Sequence, residues 1–458
     1  MTQPTSPTRS SPRLVALAAP LLLELLLAML VGIAGTALAA RLSDAHGAGF
    51  ALAHHVFGTL FLLFRIVGAG AGVVLTQALG AGRRDEADRV ARALLGAGTW
   101  IGLALAAPAA LAAAPLLRLM NAPPEVLPLA ATLLAALAPV LVLDAWVASL
   151  TSVLRSHLRA RDTLAVMAAM QALQLVVMAP LMLGWGPWPD AWALGLPGFA
   201  LAVLLSRVLA IGLLLALWRA RLGLVPQPAD WWRWRAPELR AVARIGLPGA
   251  AENAAYRLAF LVSVAVVGQM GAAALATHAY AQQVIMAVRL GGLATGLSVE
   301  VIVGHLVGAG RLHEAHALVR RALVRGLAVS VAVAAAAALL GPWVLPLFTQ
   351  DAAIAAAAVT LLWWTVLLEP GRTFNLVVIN ALRAAGDARY PVQVGAVSMA
   401  VVLAGGSWLL GSVLGWGLVG VWIAYAADEW LRGLLMWRRW VRLAWVPMAR
   451  TSRRRLAP

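Results

Sequence analysis

Apolar runs about long enough to cross a bilayer recur along this chain from Leu14 to Met436. Each must be helical, because a hydrocarbon core of roughly 30 Å takes about 20 residues of helix and offers backbone amides no partner of its own. The runs read as twelve spans, at 14–39, 51–79, 93–114, 126–152, 164–184 and 195–218, then 243–268, 277–307, 323–346, 354–381, 391–411 and 416–437. The fold class is therefore an all-α polytopic membrane protein. With 62% hydrophobic and only 12% charged residues, the chain has too few polar groups to cover a soluble globule.

The net charge of +17 would suggest nucleic acid in a soluble protein. Here its placement argues otherwise. All 36 basic residues are arginine, and they concentrate in the two tails and the even-numbered loops, with Arg41 and Arg118 in the opposite loops and Arg65, Arg207, Arg257, Arg289, Arg372 and Arg432 inside spans. That is the positive-inside pattern, which places both termini in the cytoplasm. Anionic lipid headgroups are the expected partners of the basic loops, and no nucleic-acid partner is needed. The absence of cysteine excludes disulfides, thiol catalysis and thiolate metal sites. Arginine to the exclusion of lysine, with abundant alanine, fits a GC-rich bacterial genome, so the expected location is a bacterial inner membrane.

The two halves of the chain are related. Residues 73–95 (VVLTQALGAGRRDEADRVARALL) align without a gap on residues 301–323 (VIVGHLVGAGRLHEAHALVRRAL), an offset of 228. The same offset pairs Pro20 with Pro248, Glu24 with Glu252, Arg155 with Arg383 and Arg161 with Arg389. Past an outer loop shortened in the second half, GLPG at 195 pairs with GLVG at 417, an offset of 222. Six spans per repeat preserve orientation, so the halves are parallel repeats about an axis along the membrane normal, an arrangement found among secondary transporters. The expected units are an N-terminal six-helix lobe at 1–218, a cytoplasmic linker at 219–244 and a C-terminal lobe with its basic tail at 245–458. In the linker, the run from Trp231 to Arg235 has the composition of an interfacial strap.

Gln77-x-x-Gly80-Ala81-Gly82 followed by Glu86-Ala87, its echo at Gly308-Ala309-Gly310 with Glu314-Ala315, Gly246-Leu247-Pro248 opening span seven, and the stretch from Asn375 to Pro391 (NLVVINALRAAGDARYP) together resemble the multidrug and toxic compound extrusion (MATE) family. The resemblance covers nearly the whole chain. It implies two six-helix lobes in a V, a central cavity, and export of cationic amphipathic compounds against inward proton or sodium flow. The chain departs from the family pattern in three places. An Asp common in span one is missing from the stretch Gly32 to Thr36, a span-seven Glu would fall at Tyr256, and a span-ten Asp would fall at Arg372. In the last two cases Glu252 and Glu369 stand about one helical turn earlier.

Ionisable groups at membrane depth cost from about 2.5 kcal/mol upward, which makes each a functional candidate. The candidates for ion coupling are Glu252, Glu369, Glu24 and Glu300. Glu252 follows a proline in span seven, and Glu24 is its twin. Candidates for substrate contact are Asn253, Tyr256, Arg372, Asn375, Arg65 and Arg289. Glu369 with Arg372, and Glu429 with Arg432, are three apart and share a helix face. Arg289 and Glu300, eleven apart, are expected to face the same way. Asp144 reads as a polar anchor, and Asp428, Glu429 and Arg432 as a structural ion cluster. His54, His55 and His278 are expected near the outer ends of spans two and eight, within reach of water, and His305, at the position of Gln77, is expected to be structural.

No clustered catalytic set such as His-Glu-x-x-His or Gly-x-Ser-x-Gly is present, so an enzyme is not indicated. The expected function is a cation-coupled antiporter that takes a small-molecule substrate and works as a monomer without a cofactor other than the coupling ion, H+ or Na+. The alternative is an exporter or flippase for anionic metabolites or lipid-linked substrates, whose mark would be a cavity dominated by arginine.

Overall fold

The computed structural model describes residues 14–184 and 193–455, and of 62–67, 69 and 453–455 the backbone alone. Among them, twelve helices are long enough to span a bilayer: α1 (Leu14–Leu42), α2 (Asp44–Gly80), α3 (Arg84–Leu111), α4 (Leu127–Ser156), α5 (Ala160–Leu183), α6 (Leu196–Leu217), α7 (Ala236–Gln269), α8 (Ala272–Gly308), α9 (Leu312–Val344), α10 (Ala352–Ala384), α11 (Arg389–Val413) and α12 (Gly417–Val441). Ten of the described helices qualify as spans on length and hydropathy alone. Helix α12 falls short of that measure because Asp428, Glu429 and Arg432 lie within it, and α2 is 37 residues long.

Most helices extend past the apolar runs. α7 starts at Ala236 rather than 243, and α4 and α10 continue to Ser156 and Ala384, because a helix need not end where the hydrocarbon does. Gly82 and Gly310, at the same place in each repeat, take φ of +80° and +76°, the left-handed conformation that closes the turns after α2 and α8. Helix α11 carries two π-helical stretches, Met399–Gly405 and Leu409–Val413, which residue periodicity did not foretell.

The two lobes meet along a seam at the end of the molecule where α2 and α8 finish. There the chain uses one contact twice. Gln77 Nε2 donates to the Ala384 carbonyl at 2.7 Å, and His305 Nε2 donates to the Ser156 carbonyl at 2.7 Å. Both partners in each bond are 228 residues apart from their counterparts. Backbones approach closely enough that a Cβ on Gly80 would overlap the His305 carbonyl, and one on Gly308 the Gln77 carbonyl. The helix starts are exchanged as well: Leu17 of α1 packs in a core with Val299, Ile302 and Val303 of the second lobe, while Val242 of α7 packs with Ala71, Val74 and Leu75 of the first. Farther from the seam, the hydrogen bond between lobes among the described residues is Arg257 Nη1 to Thr59 Oγ1, long at 3.4 Å.

The segment between the lobes lies against α3. Asp230, buried, accepts from Arg92 at 3.0 Å and Arg235 at 2.6 Å, and Trp100 Nε1 donates to the Trp232 carbonyl at 2.8 Å. Trp232 and Trp234 are exposed, whereas Trp231 packs edge-on against Trp146.

Because Gly80 and Gly308 hold equivalent places, Gly80→Val and Gly308→Val are expected to lower stability by similar amounts, about 1 to 3 kcal/mol from overpacking. Thermal unfolding of the detergent-solubilised protein checks this; Gly58→Val, where no atom lies within 4 Å of an added Cβ, is the control.

Candidate functional site

Charge at membrane depth is matched inside each lobe. The first match repeats in sequence register. In the first lobe Arg155 of α4 donates to Glu24 of α1; in the second, Arg383 Nη2 of α10 donates to Glu252 of α7 at 2.6 Å. Each pair joins residues 131 apart, and each arginine keeps a buried Nε without a partner. Glu252 is 7% exposed and lies against Gly395 of α11, where the missing side chain leaves room for the carboxylate.

The second match repeats with its polarity reversed. Arg207 Nε of α6 donates to Asp144 of α4 at 2.9 Å, and Arg372 Nε of α10 donates to Glu429 of α12 at 3.1 Å. Arg372 stands 228 residues after Asp144, and Glu429 stands 222 after Arg207, the two offsets that relate the halves. The pair is kept while acid and base change places. Geometry accounts for this tolerance, since two facing helices need only supply one donor and one acceptor.

In the second lobe this pair grows into a network. Arg372 also donates to Glu369, Asn375 Nδ2 donates to Glu429 at 2.8 Å, and Arg432 bridges Asp428 at 2.7 Å and Glu429 at 3.0 Å. Ser398 of α11 donates to Asp428 at 2.6 Å. The two i, i+3 pairs read separately from the sequence are thus one cluster, joined through Arg372 and Glu429. In the first lobe Gln174 is the additional partner, accepting from Arg207 at 2.7 Å.

The remaining candidates divide. Arg289 is half-buried, and its charged neighbours are Arg372, Glu369 and Glu429, with Tyr256 beside them; it forms no hydrogen bond or ion pair among the described residues. Glu300 has Arg383 as its charged neighbour and packs at the seam, where a Cβ on Gly72 of the other lobe would lie 3.6 Å from its Oε1. Arg289 and Glu300, expected on one face, form no ion pair with each other among the described residues; eleven residues of helix, about 16 Å at 1.5 Å per residue, set their charged groups among different neighbours. Tyr256 stacks on Phe260. Asn253 is exposed and donates to the Gly249 carbonyl at 2.8 Å, one turn back on its own helix. The side chain of Arg65 lies outside the described residues.

His54 and His55 are exposed, but His278 is not. It is 3% exposed among Phe260, Trp422 and Tyr425, with Trp422 Nε1 donating to its Nδ1 at 3.3 Å. It sits on the inner face of α8, which a position early in a span does not reveal. Arg155 and Arg383 were missed as site residues. They mark the repeat in the sequence, yet they fall just past the apolar runs, and only the extended helices carry them inward. Pairing each with the carboxylate at the same offset would have found them.

Comparison with known proteins places this arrangement. The MatE family model matches the chain twice, over residues 20–181 and 248–409, with the same offset of 228 at both ends. An uncharacterized transporter of Bacillus subtilis strain 168, YisQ, is 30% identical over 433 residues, 94% of either chain. A probable multidrug resistance protein NorM of Bradyrhizobium diazoefficiens is 29% identical over 440 residues, 92% of this chain and 91% of that one. Among solved structures, a MATE in the bent conformation superposes with a TM-score of 0.84 at 20% identity over 96% of each chain. An outward-facing multidrug resistance MATE transporter of the MOP superfamily gives the same score over 95% of this chain and 96% of that one.

Removing Arg372 alone strips Glu369 of its bonded guanidinium and leaves Glu429 to Arg432 and Asn375. Arg372→Met is expected to lower stability by about 3 to 5 kcal/mol. The reversal Asp144→Arg with Arg207→Glu, which gives the first lobe the polarity of the second, is expected to retain more stability than either single change, measured as a double-mutant cycle on thermal unfolding in detergent.

Proposed function

This chain belongs to the MATE family of multi-pass membrane transporters, and from that membership we propose that it is a cation-coupled antiporter that exports amphipathic compounds by alternating access of its two lobes. MATE transporters couple to ion gradients, and the family is one of transporters rather than enzymes. The observation that carries the proposal is Glu252: a carboxylate 7% exposed within a span, held by a guanidinium of another helix, in a lobe whose twin repeats the arrangement. A buried acid of this kind is neutral when it holds a proton and charged when it does not, so its environment distinguishes the two states.

The positive-inside pattern supports a cytoplasmic location for the seam, since Arg83, Arg84, Arg311, Arg320 and Arg321 cluster around it. On that reading the lobes are closed toward the cytoplasm and part toward the outside. The coupling ion then enters from outside, at Glu252 or at Glu369 of the same lobe, as substrate leaves; rocking of the lobes carries the ion to the cytoplasm. An ion drives this cycle only by its different affinity for the two states. The substrate is a small molecule, cationic and amphipathic by family resemblance, handled by one copy of the chain in a bacterial inner membrane with both termini in the cytoplasm.

One observation favours a second reading. Arg257 is exposed beside the other lobe, and Arg289 is half-buried without an ion partner, while the carboxylates Glu369, Glu429 and Asp428 are already engaged by Arg372 and Arg432. Two arginines with free donors suit a carboxylate or phosphate, which would make the exported compound anionic or zwitterionic.

In acidified everted vesicles from an efflux-deficient bacterium, followed with a pH-sensitive dye, adding a cationic substrate is expected to raise the internal pH with the wild-type protein and to do so at least about tenfold less with Glu252→Gln. Response to anionic compounds alone selects the second reading. Silence toward both, with a response to a sodium gradient, assigns sodium as the coupling ion, and silence under all conditions overturns antiport.

A further inference from the structure

The two Glu–Arg pairs are equivalent in sequence and in their hydrogen bond, yet their surroundings differ at two places. Both differences fall around the guanidinium. Beside Arg383 lies Gly249 of α7: a Cβ there would touch the guanidinium at 3.6 Å from Cζ and 3.7 Å from Nη2, and a longer side chain would crowd it. The counterpart of Gly249 in the first lobe is Leu21, a buried side chain. Toward Arg383 also lies Glu300 of α8, 5% exposed and in no hydrogen bond or ion pair among the described residues: one turn before each of them the two helices touch, where a Cβ on Gly296 would lie 2.7 Å from Asn380 Nδ2. The counterpart of Glu300 is Gly72, which has no side chain to offer Arg155. The second-lobe arginine therefore has room and a second acceptor; the first-lobe arginine has neither.

Resting on the antiport reading, we propose that Arg383 is the moving part of the coupling site, passing from Glu252 to Glu300 when Glu252 takes up a proton and returning when the proton leaves, whereas the Glu24–Arg155 pair stays closed. Proton uptake takes the trio Glu252, Arg383 and Glu300 from one excess negative charge to none. The proton neutralises the Glu252 carboxylate, the guanidinium keeps its proton and its charge, and Glu300 supplies the negative partner that Glu252 no longer provides. Without Glu300, protonation would strand a buried cation, which low dielectric makes costly.

The other charged groups facing this site belong to the same economy of pairing. Arg432 of α12 is within electrostatic reach of Glu252 but is held by Asp428 and Glu429. Gly395 and Met399 of α11 are uncharged, Tyr256 is one turn along α7, and Gly72 is the first-lobe contact of Glu300. Because Glu300 lies at the seam, the exchange moves a positive charge toward the surface between the lobes, where Gln77 and His305 hold them together. Proton occupancy at Glu252 is thereby linked to the contact that must open for the cycle to proceed. The geometry also selects the ion. A guanidinium offers donors only, and Nη2 of Arg383 covers Oε2 of Glu252, so a sodium ion would meet a cation at the oxygen it needs, while a proton displaces the guanidinium.

The test uses the full chain in proteoliposomes, reading substrate transport as a function of pH together with substrate-for-substrate exchange, which needs no net proton movement. Glu300→Gln is expected to shift the midpoint of the pH profile downward by roughly one unit, a tenfold loss of proton affinity, with exchange retained. Gly249→Leu, which fills the space around Arg383, is expected to suppress pH-driven transport while exchange continues. Glu24→Gln is expected to leave the midpoint where it is. If Glu300→Gln does not accumulate in the membrane, Glu300→Asp carries the same downward expectation in smaller measure. A wild-type midpoint in the Glu300 variant, or an equal shift in Glu24→Gln, overturns the exchange while leaving antiport standing. Transport by the wild-type protein that ignores pH and follows sodium overturns the exchange and the proton together.

Discussion

In a hydrocarbon core a charge without a partner is far more costly than the same charge at a protein surface, and the architecture of both lobes answers to that cost. Each intramembrane carboxylate discussed above, apart from Glu300, is bonded to an arginine, and in the Glu24, Glu252, Asp144 and Asp428–Glu429 systems that bond fastens one transmembrane helix to another or extends to a helix beyond. The ion pairs serve as the polar equivalent of core packing, placing α1 on α4, α7 on α10, α4 on α6 and α10 on α12. The reversal of Asp144–Arg207 into Arg372–Glu429 indicates what is needed at that position: one acid and one base across a helix contact, in either order.

The seam obeys a different constraint, that of close approach. Gly80 and Gly308 bring the ends of α2 and α8 within backbone contact, and the exchanged bonds from Gln77 and His305 satisfy carbonyls at the ends of α4 and α10 that have no helical partner of their own. Small residues and a few polar bonds, with apolar packing of Leu17 and Val242 beside them, make the junction that the proposed cycle would part. The exchanged starts of α1 and α7 give each lobe a hold on the other.

Twofold duplication supplied the frame, and the proposed exchange draws on places where the two copies cease to match. Glu300 against Gly72, Gly249 against Leu21, and the expanded network around Arg372 all load chemistry into the second lobe. The first lobe retains the corresponding pairs in a tighter setting. The proposed antiport needs one element that responds to an ion and another against which it moves, a need that an asymmetric pair of lobes would meet.

Much of this was legible in one dimension. Length and hydropathy are enough for the spans, because lipid leaves the backbone no alternative to helix, and the offset of 228 discloses the parallel repeat and the twin carboxylates Glu24 and Glu252. What the sequence could not disclose is which residue each charge meets. Helical periodicity orders side chains around their own axis, but the angle at which one helix presents them to another is settled by packing. So Arg383 was found 131 residues from Glu252, Arg289 with Glu369 and Glu429 as charged neighbours, and His278 among aromatic rings instead of water. The sequence by itself determined the helices, their number and their duplication, through local and additive preferences for lipid. Only the tertiary structure decided the pairings, because a salt bridge depends on where two distant helices come to rest.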